Sequence, residues 1–293
     1  MTKPPRLVRS AVVDLPVIEA SGLAARHVDG TVRVLVVGDR TARIAVGTHV
    51  SAGFSEWNTI DLASVHGWPL LDGDSQLEAI AVDGGSLVAM MREDPPVVLV
   101  AETEARELQA TITLSAPPGS PLDGHWDDPS SRGEGLVLLR GARLLVAKEK
   151  RPRALIEFAP MGSSPRGLSC DDFLAPDESW EAPCGEVDYV ATAMWRLRGD
   201  AKRVLGDISA LAVGRDRSLW LLSDKSRRVA RLPLDEPLTP SGEEITEIGE
   251  VWRLPKGTVK PEGIVTLDHD RLLVAMDTSS TTGNGLILER PAG

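Results

Sequence analysis

Eight carboxylates recur along this chain at a near-fixed interval. Glu78 and Glu93, Glu134 and Glu149, and Glu262 and Asp277 each stand 15 residues apart, and Ser209 and Asp224 keep the same interval with a hydroxyl in first place. A fifth copy, Ser21 to Asp39, is three residues longer. Between the two polar ends lie two apolar runs and a turn, as in Glu134-Gly-Leu, the turn Arg140-Gly-Ala-Arg, and Leu144 to Glu149. Read as a hairpin centred between Gly141 and Ala142, the copy sets its end residues opposite each other, with Cβ atoms about 5 Å apart. Two like charges at that distance cost roughly 3 kcal/mol at an effective dielectric of about 20.

Four things can offset such a cost: a bound cation, raised pKa values, basic neighbours, or backbone N–H donors. Oxygen ligands converging from several strands suit a hard divalent cation, Ca²⁺ ahead of Mg²⁺. On that reading Glu78, Glu134 and Glu262 are the ligands, with Glu149 and Asp277 next. The structural alternative has each carboxylate accept from backbone N–H groups of the neighbouring repeat. Glu93, Asp224, Asp39, Arg92, Lys225 and Trp126 are candidate ligand contacts at the same place. Arg40, Lys148, Lys150 and Arg227 are further basic neighbours. The Gly after Glu134 and Glu262 also fits close strand packing around a narrow axis.

Other chemistry is sparse. The stretch His125-Trp126-Asp127-Asp128 leads into Glu134, so His125 and Asp127 are candidate acid–base residues, with Lys148 a third and Trp126 an aromatic wall. Asp72-Gly-Asp-Ser-Gln-Leu-Glu resembles a calcium loop but has Leu77 where an EF-hand needs Gly; Asp72 and Asp74 would still lead towards Glu78. There is no nucleophile elbow, P-loop, zincin helix or dinucleotide fingerprint. Cys170 and Cys184 are too few for a disulfide framework or a zinc site.

The elements that must position these residues are strands. Each copy is followed by a third apolar run, such as Val97 to Val100, Ala154 to Phe158, Arg228 to Leu232 and Gly285 to Leu288. A fourth often follows, as at Gln109 to Leu114 and Glu250 to Leu254. Helical signals are confined to Thr59–Val65 and Ser169–Leu174. Four-stranded antiparallel meanders starting at 21, 78, 134, 209 and 262 predict an all-β fold, a single β-propeller over residues 1–293. Five blades are expected, six being the alternative if one without the signature hides in the long gap after 134. That gap holds an inserted loop around 165–190. The strand at Leu7 to Leu15 is expected to complete the last blade and remove an exposed edge. In a propeller the first strand of each blade lines the central channel, so the polar starts gather at one mouth.

A net charge of −11 opposes binding to nucleic acid or an anionic membrane and favours cations or basic partners. No stretch approaches the length of a membrane span, and Met1 to Ser10 has no signal-peptide core, so a cytoplasmic protein, taken as a monomer, is expected.

The order Ser21-Gly-Leu, Glu78-Ala-Ile, Glu134-Gly-Leu, Ser209-Ala-Leu, Glu262-Gly-Ile resembles the bacterial SdiA-regulated family of β-propellers. The stretches Val146-Ala-Lys-Glu-Lys and Leu221-Leu-Ser-Asp-Lys-Ser-Arg are especially similar to it. The resemblance implies a propeller and a loose relation to esterase-like phytases. More distantly, Glu134-Gly135 and Glu262-Gly263 are similar to the Glu-Gly-Pro of gluconolactonase-type propellers, with Leu136 and Ile264 in place of the Pro. The function expected is binding of a divalent cation and a small molecule, with metal-dependent phosphoester or lactone hydrolysis as the reaction such a site supports. The alternative is a non-catalytic propeller that presents its loops to a protein partner.

Overall fold

Alternating and continuous apolar runs broken by Gly, Asp and Ser turns give strands throughout. The structure is a computed structural model that describes residues 3–50, 53–69, 75–103, 107–126, 128, 132–241 and 244–291. The N-terminal strand β1 (Val8–Val13) precedes the first meander, β2 (Ala20–Val28), β3 (Thr31–Gly38) and β4 (Arg43–Val50), which ends in short β5 (Gly53–Phe54) and β6 (Asn58–Asp61). The second is β7 (Leu77–Val82), β8 (Leu87–Arg92), β9 (Val97–Glu102) and β10 (Leu108–Ser115). The third is β11 (Gly135–Leu139), β12 (Arg143–Lys148), β13 (Ala154–Pro160) and β14 (Gly185–Leu197). The fourth is β15 (Ala210–Val213), β16 (Leu219–Ser223), β17 (Arg228–Leu232) and β19 (Val251–Arg253), with β18 (Glu244–Ile245) pairing onto β14. The last is β20 (Pro261–Thr266), β21 (Arg271–Met276) and β22 (Gly285–Glu289).

Strand β1 pairs antiparallel with β22, so the N-terminus supplies the outer strand of the last meander, as expected. The inner strands β2, β7, β11, β15 and β20 each touch two others and close a ring. Five buried apolar clusters fill the spaces between successive meanders, one per interface. The chain is a β-propeller. Inner glycines let the ring close: a Cβ on Gly135 would lie 2.8 Å from the backbone N of Leu211, and one on Gly263 2.8 Å from Leu23 Cγ.

The gap after residue 134 holds no further meander among the described residues. The expected loop ends at Cys184, because Gly185 opens β14. That strand runs parallel to β10 over Gly185–Val190 and antiparallel to β13 over Tyr189–Arg196, so it joins two blades into one sheet. Its alternation (Val187, Tyr189, Ala191, Ala193, Trp195, Leu197) was a usable strand signal. The helix α1 (Gly199–Val204) was not anticipated: its N-cap Arg198 makes no side-chain cap bond, so the usual start signal is missing. The two expected helical pieces are single 3₁₀ turns, Leu62–Ser64 and Cys170–Asp172. Both cysteines are free.

The hairpin register differs from the expected one. The first hairpin of the third meander pairs Leu139 with Arg143 and Gly135 with Ala147, so its turn centres on Gly141. Three inner strands carry a register break at the motif position: between Ala20 and Gly22, between Leu77 and Ala79, and between Pro261 and Gly263. In the other two, Glu134 N and Ser209 N donate to Ala147 O and Leu222 O, the same residues that pair with Gly135 and Ala210. Every motif residue is therefore the extra residue of a β-bulge, which frees its side chain from the alternation of the strand. Three of the second-strand acids face the residues two places earlier instead. Asp39 N, Glu93 N and Asp277 N donate to the carbonyls of Glu19, Gln76 and Lys260 at 3.3, 3.2 and 2.8 Å. Those three residues have left-handed backbone, with φ of 49°, 52° and 37°.

Candidate functional site

The bulges bring the acids of all five meanders into one electrostatic cluster. Glu134 is raised well above the ordinary carboxylate range, first by burial and then by Glu78, Glu149, Glu93 and Glu262. Burial likewise pushes Glu78 up to about 8, with Glu93, Asp39 and Asp277 adding to it and Lys260 opposing. Glu262 is pushed up to about 8 by burial, then by Asp277, against the opposing pull of Lys260. Burial lifts Glu93 to about 7, and burial with Glu19 lifts Asp39 to about 6. Asp224 is raised by burial against the opposing charge of Arg227.

Partners divide these acids into two sets. The outer set is engaged: Glu149 pairs with Lys150 at 2.5 Å, Asp277 with Lys260, and Asp224 with Arg227 at 3.4 Å. Asp39 hydrogen-bonds Glu19, which pairs with Arg40 at 2.6 Å. Glu93 accepts from the backbone of Arg132. The inner set is different. Among the described residues, the side chains of Glu78, Glu134 and Glu262 make no hydrogen bond or ion pair. Backbone donors of the neighbouring blade do not hold them. The two serines at the same repeat position do bridge blades: Ser21 Oγ donates to Leu77 O, and Ser209 Oγ donates to Pro261 O at 3.0 Å while accepting from Asp224 N at 3.2 Å.

The donor set fits a hard cation: it is all oxygen, unpartnered, and penalised by its own repulsion. The arrangement is open, for among the described residues no three His, Cys, Asp or Glu side chains are grouped closely enough to hold a metal. A cation would have to draw the Glu side chains inward.

The other sequence candidates fall in varied places. Trp126 is a core residue, 5% exposed and packed at 5.3 Å on Phe158, and so does not wall a site. Lys148 is fully buried, its ammonium disfavoured by burial and supported by Asp128. His125 is half-buried with no side-chain bond among the described residues, and Asp127 lies outside them, as do Asp72 and Asp74. Arg92 ties Ser75 O at 3.1 Å and Gln76 Oε1 at 3.3 Å, a link within its own hairpin. Lys225 is exposed.

Sequence reasoning missed the other end of the channel. A cavity of about 140 Å³ lies among the inner strands towards their hairpin turns, and none of the eight carboxylates lines it. The insert closes over it, contributing Phe173 to Pro176. Trp180 Nε1 donates to Leu139 O at 3.0 Å, Gly84 N to Glu178 O at 2.8 Å, and Arg140 grips Glu178 at 2.6 and 2.7 Å. Only the contacts across the fold show this, since the insert has no repeat signature.

No family model and no curated protein sequence matches the chain. Solved structures with a similar course exist. A PQQ-bound aldose sugar dehydrogenase from Streptomyces coelicolor is 14% identical over 98% of this chain and 99% of its own, with a TM-score of 0.47. Regucalcin from Agrobacterium tumefaciens, described as a calcium-binding protein, is 12% identical over 98% and 95%, with a TM-score of 0.49. Virginiamycin B lyase from Staphylococcus aureus is 12% identical over 98% and 75%, with a TM-score of 0.40. At that distance their ligands and reactions say nothing of this chain. Among the described residues no helix is long and apolar enough to cross a membrane.

Proposed function

We propose that this propeller binds a divalent cation at its acidic mouth, Ca²⁺ ahead of Mg²⁺, with Glu78, Glu134 and Glu262 as the inner ligands. One observation carries the reading: serines at two of the five repeat positions staple blades, whereas glutamates at the other three are half-buried, mutually repelling and without a hydrogen-bond or ion-pair partner among the described residues. When ionised, such carboxylates destabilise the fold unless a cation neutralises them. A bound ion would supply polarisation of a phosphoryl or carbonyl oxygen. Hydrolysis of a phosphoester or lactone is therefore the chemistry to screen once the ion is established. The likeness of the Glu134 and Ile208–Arg227 stretches supports placing the chain with the SdiA-regulated propellers. The scaffold reading gains nothing from the surface, where the exposed large apolar residues (Val8, Val12, Val50, Met161 and Val259) are scattered along the chain.

The test is a thermal melt in Ca²⁺, in Mg²⁺ and in a chelator. Ca²⁺ at about 100 times its Kd should add about 2.7 kcal/mol, or about 4 °C for a chain this long. The Glu134→Gln, Glu262→Gln double variant should lose that gain. No shift with either ion, or a full shift in the double variant, would reject the site.

A further inference from the structure

The hairpin-end cavity differs in chemistry from the acidic mouth. Its walls are residues of the inner strands, including Leu23, Ile80, Leu138 and Val265, with Phe173 of the insert on one side, and they present both apolar and polar atoms. Its polar groups are basic at the rim. Arg26 and Arg217 are engaged: Arg26 Nε donates to Asp83 O at 3.0 Å and its Nη2 to Leu87 O at 2.7 Å, and Arg217 bonds Asp171 at 3.2 Å. The acid at this end is also engaged, since the Asp83 carboxylate accepts from Leu87 N at 2.9 Å and Trp180 N at 3.1 Å. Two groups are left over. Arg215 lines the cavity, is exposed, and makes no hydrogen bond or ion pair among the described residues. His27 also lines it, with a buried Nδ1 that has no partner. Burial, then the charge of Arg215, holds the His27 imidazole below its ordinary pKa, so the ring is neutral and keeps one N–H.

We propose that this cavity binds a small monocarboxylate whose apolar body is no larger than one six-membered ring, with Arg215 and His27 receiving the carboxylate. Size sets the body: the cavity of about 140 Å³ compares with an apolar cavity of about 150 Å³ that holds benzene. Charge sets the head group. An unpaired guanidinium at the exposed rim of the pocket matches a carboxylate, and a charge-assisted hydrogen bond is stronger than a neutral one. The acids near it are engaged elsewhere, Asp83 by backbone N–H groups and Asp171 by Arg217, so neither pairs with Arg215.

The experiment is calorimetric titration of the full chain with sodium benzoate, run in chelator so that the acidic mouth plays no part. Benzamide is the neutral isostere. Saturable benzoate binding is expected, with benzamide about tenfold weaker or worse. Arg215→Gln, at an exposed position that leaves the fold intact, should weaken benzoate by about tenfold or more. Ala25→Leu, which fills the cavity from the β2 wall, should abolish binding; if it does not fold, the Arg215→Gln comparison decides alone. Absence of saturable benzoate binding, equal binding of benzamide, or equal binding by Arg215→Gln would overturn the proposal.

Discussion

Replacing Glu78 by Gln should stabilise the protein in alkaline, metal-free buffer, the reverse of what most buried substitutions do. The ordinary carboxylate value of 4.5 rises to about 8 at Glu78 in the fold. An acid raised in this way contributes stability that is complete below about pH 4.5 and is lost as pH rises through the folded value. The sign follows because the native state holds the proton longer than the unfolded chain does. The difference of roughly three and a half units corresponds to about 5 kcal/mol as an upper bound. The mouth opens to water and counterions, and the neighbouring acids titrate together, which reduces the net effect to about 1–3 kcal/mol. Gln keeps the shape and removes the charge. Urea unfolding in chelator should therefore show Glu78→Gln about 1–3 kcal/mol more stable than the parent at about pH 9, with the two converging at about pH 5. Adding Ca²⁺ at about pH 9 should narrow or invert the gap, because only the parent has the full ligand set. A variant that is less stable at about pH 9, or a difference of equal size at both pH values, would refute the reasoning. Either result would mean that the Glu78 carboxylate makes a favourable contact in the fold.

Two further outcomes follow from the blade contacts. Ser209→Ala removes the buried bond to Pro261 O and strands the part-buried Asp224 N–H, and should cost roughly 1–3 kcal/mol, read as a lower urea midpoint with an unchanged slope. Gly135→Ala should cost about 1–3 kcal/mol by overpacking, since its Cβ would meet the Leu211 backbone, which β15 holds in its ladder. A neutral Gly135→Ala in the same unfolding assay would show that the inner ring has slack.

What the sequence determined by itself is local and repetitive. Glu78, Glu134 and Glu262 open apolar hairpins at the same repeat position, and a repeated hairpin fixes both the meander and which strand lies innermost. The apolar alternation of Leu7 to Leu15 marked a strand with no partner nearby, which left β22 as its place. The convergence of acids from every repeat was legible for the same reason, since symmetry carries a local feature to a common axis. The register was not legible. A bulge adds one residue without changing the apolar pattern around it, so the facing of Glu134 and Glu149 inferred from turn length was off. Tertiary structure also decided what the polar ends do: Ser21 and Ser209 find carbonyls of the next blade, while the inner glutamates find no donor. The cap over the hairpin end, from Phe173 to Trp180, was decided there as well. A hydrogen bond between residues far apart in sequence, like a cavity walled by five separate strands, depends on which surfaces meet, and the pattern within any one strand does not encode the strand that will lie beside it.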